Sequence, residues 1–334
     1  MRTWMKTAAA GLVATGLLWS GGGEVLAQNS KTVSVPSNSK AVVYIDLGAA
    51  KRTPVGEAIV KLAKQEASNA ISEMMEGSEG DPLVHKQEML GLDPFEDLKS
   101  ITISVSDYEA PEESVLAVIE LGQTAGNLEG FVVTAPGYES SAFGDYTIHS
   151  VSPDEETRVY GSVHSDASGI KRIVAATSRG SVESVLGGLD GGAAAGFETV
   201  SLAGGEGAVI SVAINELPLE ELGEGPQSNI AKMLKAISVV IGNSNDAYTI
   251  DVGLVTESEQ RSQQLMQLIQ GSLAGLAFAA EMEDVGNDEE IQMALKMAQG
   301  IEVSLDGASI SLRMSAPEEM IHQILREEGD LDIE

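Results

Sequence analysis

Cysteine is absent from the 334 residues of this chain. Disulfides, zinc-thiolate sites and iron-sulfur clusters are therefore excluded, as is a lipid attached through an N-terminal cysteine. Burial and hydrogen bonding must stabilise the fold, and the chain is long enough for two ordinary domains with cores of their own.

Basic residues are scarce. The chain has 20 Lys and Arg residues against 51 Asp and Glu residues, which gives a formal net charge of −31. Because proteins bind nucleic acids mainly by neutralising phosphates with Lys and Arg, we expect no nucleic-acid partner. A surface of this charge attracts cations non-specifically and stays soluble through self-repulsion.

Long apolar runs are missing beyond the N-terminus, so we expect no membrane span. The one early run, residues 7–19, is shorter than the roughly 20 residues that cross a bilayer. Arg2 and Lys6 precede this run, and Val25-Leu26-Ala27 follows it, which is the pattern of a cleaved secretory signal peptide. We therefore expect residues 1–27 to be removed, residues 28–40 to form a leader, and the protein to be periplasmic or extracellular.

The common catalytic signatures are also missing. The sequence contains no G-x-S-x-G elbow, no H-E-x-x-H pair, no P-loop, and no G-x-G-x-x-G at a strand-to-helix turn. We expect an exported protein that is non-catalytic, has no cofactor, and binds an unknown protein or small ligand in the cleft or surface that its two units create.

Two segments of the chain have the same pattern. Residues 98–124 and 234–256 each begin with Leu-Lys and continue as strand, polar turn and strand. A glycine-rich stretch, residues 187–196, lies between them and favours a linker. The sequence therefore predicts a first α+β unit at 41–190, a linker at 191–207, a second α+β unit at 208–328 and an acidic tail at 329–334.

The order of elements predicts the fold class. Each unit is predicted to run strand, helix, strand, strand, helix, strand, strand, helix, and the first six elements follow the ferredoxin-like βαββαβ order. We therefore expect two tandem units of antiparallel sheet with helices on one face, each with an extra strand and helix. Ile101, Ile103 and Val105 alternate with Thr102 and Ser104, so the first set is predicted to be buried.

The clearest hairpin is at residues 301–314. Asp306-Gly307 suits a two-residue turn. That turn would place Val303 opposite Ile310 and Ile301 opposite Leu312 on the buried side.

One histidine cluster could bind a metal. If Val151 faces Arg158, then His149 faces Tyr160 and Asp145 faces His164, and a carboxylate and two imidazoles share one face. Such a set could hold Zn²⁺ or Fe²⁺ with open positions, as in a metal-dependent hydrolase. The cluster depends on this register, because a slip of one residue moves side chains to the other face.

A second candidate is an acidic segment with oxygen ligands of the kind that Ca²⁺ prefers. It lacks the spacing and central glycine of an EF-hand loop, so an exposed loop is the alternative interpretation. Its candidate ligands are Glu281, Glu283, Asp284 and Asp288.

A family resemblance is carried by Val35-Pro36, residues 41–47, Thr53-Pro54-Val55-Gly56 and residues 90–98. At these positions the first unit resembles uncharacterised secreted proteins of planctomycete-type bacteria. The resemblance implies export and a duplicated α+β fold, and it assigns no catalytic residue.

Overall fold

A computed structural model of the chain describes eleven segments and the single residues 56, 135 and 298. The segments are residues 31–53, 97–122, 128–133, 137–152, 157–165, 169–189, 197–202, 207–218, 226–244, 247–280 and 300–317. The predicted signal peptide and acidic tail lie outside them, as do the candidate calcium ligands.

Strands dominate the described chain. They are β1 (Lys31–Pro36), β2 (Ala41–Asp46), β3 (Leu98–Val105), β4 (Val115–Leu121), β5 (Glu139–Phe143), β6 (Tyr146–Val151), β7 (Val159–Ser165), β8 (Lys171–Ala176), β9 (Phe197–Leu202), β10 (Ala208–Ile214), β11 (Leu234–Ser244), β12 (Ala247–Thr256), β13 (Ile301–Asp306) and β14 (Ser309–Pro317).

The helices are mostly short. They are α1 (Leu47–Ala50), α2 (Pro111–Ser114), α3 (Leu128–Val132), α4 (Arg179–Leu189), α5 (Pro226–Ala231) and α6 (Glu259–Ala280). Among the described residues, none of these helices combines the length and the apolar character needed to cross a membrane.

The strands form an antiparallel sheet of seven strands from β2 to β8, an antiparallel sheet of five strands from β10 to β14, and a two-stranded sheet of β1 and β9. The prediction of two ferredoxin-like units, each with helices on one face, is therefore wrong. A ferredoxin-like unit needs crossover connections that set strands parallel. Here the chain returns from β2 to the adjacent antiparallel position in β3, and it then forms further antiparallel neighbours.

The chain folds as two compact units, one containing Val33–Val200 and the other Ser201–Ile324. The strand order is β2-β3-β4-β8-β7-β6-β5 in the first unit and β10-β11-β12-β14-β13 in the second. Three consecutive strands are neighbours in each unit, β2 to β4 in the first and β10 to β12 in the second. The third of them then pairs with the last strand of its sheet, β4 with β8 and β12 with β14. Part of the predicted linker forms β9, and part of the predicted leader forms β1.

Helix α4 packs on one face of the first unit's sheet. Val182, Val185 and Leu186 form a buried cluster with Leu116, Ile148, Val174 and Ala176. We call this side of the sheet the helix-covered face. Because side chains alternate along a strand, the residues one position away lie on the opposite side.

That opposite side has an unexpected composition. Most of its residues are half-buried and Leu121 is buried in a cluster with Leu98, Ile119, Val163 and Ile173, whereas the helix-covered face holds the buried hydroxyl residues Ser100, Ser104 and Ser162. The prediction that Ile101, Ile103 and Val105 are the buried set of β3 is therefore wrong. On this side the five central strands place Ala41, Val43, Ile45, Ile101, Ile103, Val105, Val115, Ala117, Ile119, Leu121, Lys171, Ile173, Ala175, Val159, Gly161, Val163 and Ser165.

The second unit places its apolar residues against α6. Leu265 of this helix is buried with Ile237, Val252, Leu254 and Ile310. The predicted hairpin of β13 and β14 forms, but Val303 pairs with Leu312 and Ile301 with Met314. This register differs by two residues from the predicted one, so every side chain keeps its predicted face.

Candidate functional site

A line of polar side chains crosses the first unit's sheet on its helix-covered face. The cross-strand pairs are continuous from β2 to β7. Neighbouring strands lie about 4.8 Å apart, so the line presents one polar group per strand at regular intervals. We call it the polar row, and its members are Asp46, Ser100, Glu120, Arg172, His164 and Tyr146.

Glu120 is the centre of this row and is held from both sides. Ser100 Oγ donates to Glu120 Oε2 at 3.0 Å, and Arg172 Nε donates to Glu120 Oε1 at 3.0 Å. The Arg172 and Glu120 side chains are 22% and 32% exposed, so the pair is half-buried but reachable from solvent. Both carboxylate oxygens are thus fixed by donors on neighbouring strands.

Asp46 ends the row on β2. Its Oδ1 accepts the backbone N–H of Ala49 at 2.8 Å, and its Oδ2 accepts the Tyr44 hydroxyl at 3.4 Å. Asp46 therefore caps the start of α1, where a carboxylate is favoured by the free amides of the first turn.

His164 and Tyr146 form the other end. The centroids of their rings are 5.4 Å apart with the planes tilted by 59°. His164 pairs with Arg172 across β7 and β8, so a guanidinium, an imidazole and a phenol follow one another. This end offers hydrogen-bond donors and an aromatic surface, whereas the Asp46 end offers acceptors.

The predicted metal set is not assembled. His149 pairs with Gly161 and Val151 with Val159, one residue away from the predicted register. His149 and His164 consequently lie on opposite faces of the sheet. Asp145 is exposed in the turn between β5 and β6. Within the described segments, no group of three or more His, Asp or Glu residues is placed to hold a metal ion.

His149 instead has a local partner in the loop before β5. Its ring stacks on Tyr138 with centroids 5.9 Å apart, and its Nδ1 lies 3.1 Å from the Tyr138 hydroxyl. The side chain is buried, and its Nε2 has no hydrogen-bond partner among the described residues.

Sequence reasoning singled out only His164 among the three central members of the polar row, Glu120, Arg172 and His164. The other two central members have a recognisable signal, because Glu120 and Arg172 interrupt the apolar strands VLAVIEL and KRIVAA. A charged residue inside an apolar strand needs a partner, since an unpaired buried charge is costly. Pairing β4 with β8 was not predicted, so the two residues were not connected.

The second unit contains a similar ion pair without such a row. Arg313 Nε donates to Asp251 Oδ1 at 2.6 Å, and the two side chains are 45% and 15% exposed. The hydrogen bond that Arg313 donates to the Asp251 carboxylate raises the pKa of Arg313 above its ordinary value. The pair joins β12 and β14, as Glu120 and Arg172 join β4 and β8, and it provides a matched control.

No protein-family model and no curated protein matches the chain. Solved structures of TP0453 are similar to it. Crystal form III has a TM-score of 0.38 at 9% identity, covering 87% of this chain and 97% of that one. Crystal form I has a TM-score of 0.36 at 10% identity, and the match covers 87% of this chain and 96% of that one. Crystal form IV has a TM-score of 0.38 at 10% identity, and the match covers 88% of this chain and 97% of that one. At these values the similarity assigns neither a fold family nor an activity.

Proposed function

We propose that this is an exported, non-catalytic protein that binds a small zwitterionic ligand at the polar row. The observation that carries the proposal is the fixed Glu120 carboxylate with Arg172 and His164 following it on the next two strands. Export is supported by Arg2, Lys6 and the apolar run before Ala27.

The Glu120 carboxylate is positioned to bind a charged ligand. Each of its oxygens accepts one hydrogen bond, from Ser100 and from Arg172, and keeps a second lone pair that can accept from a ligand's ammonium group. A carboxylate held in this way serves as a fixed partner for a ligand's charge.

The order of charges along the row suggests the class of ligand. The carboxylate acceptors lie at the Asp46 and Glu120 end, and donors lie at the Arg172 and His164 end. Glu120 and His164 are two strand spacings apart, about 10 Å. An extended tripeptide is also about 10 Å long. A short peptide with free termini therefore has its ammonium and carboxylate groups at a matching separation.

Isothermal titration of the full chain with trialanine tests this proposal. We expect binding that weakens at least tenfold when both termini are blocked by acetylation and amidation. Glu120→Gln and Arg172→Gln should each abolish detectable binding, whereas Asp251→Asn and Arg313→Gln should leave it unchanged. Binding that is insensitive to the row variants, or no binding of the unblocked peptide, would refute the proposal.

Export has a test of its own. The intact mass of protein purified from cells that export it should correspond to a chain starting at Gln28. A mature protein that retains residues 1–27 would contradict this part of the proposal without bearing on the ligand.

A further inference from the structure

The second half of α6 exposes apolar side chains instead of burying them. Leu268 is 50% exposed and Phe278 is 65% exposed. Gly271 and Gly275 are exposed between them, and a Cβ added at either glycine would meet nothing among the described residues within 4 Å. These four residues follow one another at spacings of three and four, so they lie on one side of the helix. We call this exposed side the α6 stripe.

The α6 stripe lies away from the contacts that α6 makes with its own sheet. Ser262 is buried and donates to the carbonyl of Gly307, and Ile269 packs against the cluster around Leu265. With 3.6 residues per turn, Ser262 and Ile269 are on the opposite side of the helix from the stripe. A surface helix normally carries polar residues on that outer side. Large apolar residues that are exposed there indicate an interaction surface.

Charged residues are absent from this part of the chain. Residues 262–280 contain no Asp, Glu, Lys or Arg, although the chain has 51 acidic and 20 basic residues. At a net charge of −31 two copies repel each other where their acidic surfaces meet, and contact through α6 brings no carboxylate of this helix segment into the interface. Helices that lie on lipid surfaces typically carry Lys and Arg on their polar side. Residues 262–280 lack them, so a second copy fits this surface better than a lipid surface does.

We propose that two copies of the chain associate through the α6 stripe, with the two helices antiparallel. The stripe reads large, small, small, large, which is the same order in both directions. A two-fold axis near residue 273 therefore sets Leu268 of one copy against Phe278 of the other, and Gly271 against Gly275. A two-fold interface must be self-complementary in this way. The glycines let the two backbones approach closely, which brings the larger side chains into contact.

The size of the stripe sets the strength of this contact. The exposed uncharged side of α6 runs from Gln264 to Phe278, which is about 22 Å of helix. A contact of that length removes on the order of 400 Å² from each copy, or about 800 Å² in total, whereas stable complexes bury about 1,200 Å² or more. We therefore expect a weak, reversible dimer.

Sedimentation equilibrium of the full chain over a range of concentrations tests the proposal. We expect a monomer–dimer equilibrium whose dissociation constant falls as NaCl increases, because salt screens the repulsion between carboxylates but not the apolar contact. Leu268→Lys and Phe278→Glu should each raise this constant roughly tenfold or more, since each places a charge in the contact. Leu305→Glu, at an exposed apolar position of β13, is the matched control and should leave it unchanged.

The combination of Leu268→Lys with Phe278→Glu tests the antiparallel arrangement. In an antiparallel pair each introduced ammonium faces an introduced carboxylate of the other copy, so the double variant should dimerise about threefold more tightly than Phe278→Glu alone. In a parallel pair each position would face itself, and the double variant would dimerise no better than either single variant. Both positions are exposed, so the urea midpoint should stay near that of the parent chain.

Cross-linking gives a second measurement that does not depend on these charges. The chain lacks cysteine, so Ser272→Cys introduces one thiol close to the two-fold axis. A short bis-maleimide should link two copies of this variant, whereas Ser304→Cys, exposed on β13, should not be linked. A chain that stays monomeric at every concentration and salt, or a dimer unaffected by the α6 variants, would overturn the proposal. So would a chain that is monomeric in solution and floats with phosphatidylcholine vesicles through α6, because lipid would then be the occupant.

Discussion

Glu120 of β4 faces Arg172 of β8, and the Arg172 Nε–H donates to the carboxylate at 3.0 Å. The two residues are far apart in sequence, and their pairing fixes the register between a strand of the β3–β4 hairpin and the last strand of the first unit. The same carboxylate accepts from Ser100 on the other side, so three strands meet at one side chain.

Removing one partner of the Glu120–Arg172 pair should lower the free energy of unfolding. Arg172→Gln leaves a half-buried carboxylate with one donor, and we expect it to lower the free energy of unfolding by about 1–3 kcal/mol. Glu120→Gln should cost less, because the amide oxygen still accepts one hydrogen bond. Urea unfolding of the two single variants and the double variant gives the coupling between them, which we expect to be about 1 kcal/mol.

A second double-mutant cycle, on the pair Asp251–Arg313, gives a coupling energy to compare with that of Glu120–Arg172. The Arg313 side chain is 45% exposed, so solvent screening should reduce the coupling to about 0.5 kcal/mol. Equal or larger coupling in this second pair would show that the extra donor from Ser100 does not strengthen the polar row.

Two glycines with positive φ should respond differently to the same substitution. At Gly207, with φ 88°, an added Cβ would overlap the carbonyl oxygen of Asn243. At Gly144, with φ 57°, an added Cβ meets nothing within 4 Å. We expect Gly144→Ala to cost about 1–2 kcal/mol from the backbone conformation alone. Gly207→Ala should cost more, since the strand pairing beside it must also shift. Urea midpoints measure both, and similar costs would contradict the predicted clash.

The pH dependence of the Asp251–Arg313 pair follows from the raised pKa of Arg313. A group with a raised pKa in the folded state contributes stability that is complete below its unfolded-state pKa and lost only as the pH rises through the folded value. For Arg both values are strongly alkaline. The loss of stability caused by Asp251→Asn should therefore be the same at about pH 7 and about pH 10. If Asp251→Asn lowered the stability less at about pH 10 than at about pH 7, Arg313 would be losing its proton within this range.

Salt should stabilise the chain whether or not a specific cation site exists. At a net charge of −31 the carboxylates repel one another, and NaCl screens this repulsion beyond about 10 Å at 0.1 M. We expect the melting temperature to rise with NaCl, and millimolar CaCl₂ added at high NaCl to change it little. A large Ca²⁺ shift that disappears when Glu283, Asp284 and Asp288 become amides would instead identify that segment as a calcium site.

Local alternation predicted most strands of the chain, and the hairpins β3–β4, β11–β12 and β13–β14 were correctly placed. The arrangement of strands could not be read from the sequence, because the βαββαβ order is compatible with crossovers and with antiparallel returns. The short strand β5, Glu139–Phe143, was missed because its serines and alanine show no alternation.

The two register errors had opposite consequences for site prediction. In the β13–β14 hairpin the register differs by two residues, and each residue stays on its predicted face. In the β6–β7 hairpin it differs by one, which separates His149 from His164 and sets Tyr146 against His164. Sequence patterns at β6 and β7 do not distinguish these alternatives, because apolar residues occur on both faces of each strand.

The order of strands in the second unit bears on how quickly that unit forms. Strands β10, β11 and β12 are consecutive in sequence and adjacent in the sheet, as are β13 and β14. The pairing of β12 with β14 must wait for the longest connection of this unit, which includes α6, to close. Because short loops lose little entropy on closure, the hairpins β11–β12 and β13–β14 can form from local contacts. We therefore expect docking of the β13–β14 hairpin against β12 to be the slow step of this unit's folding.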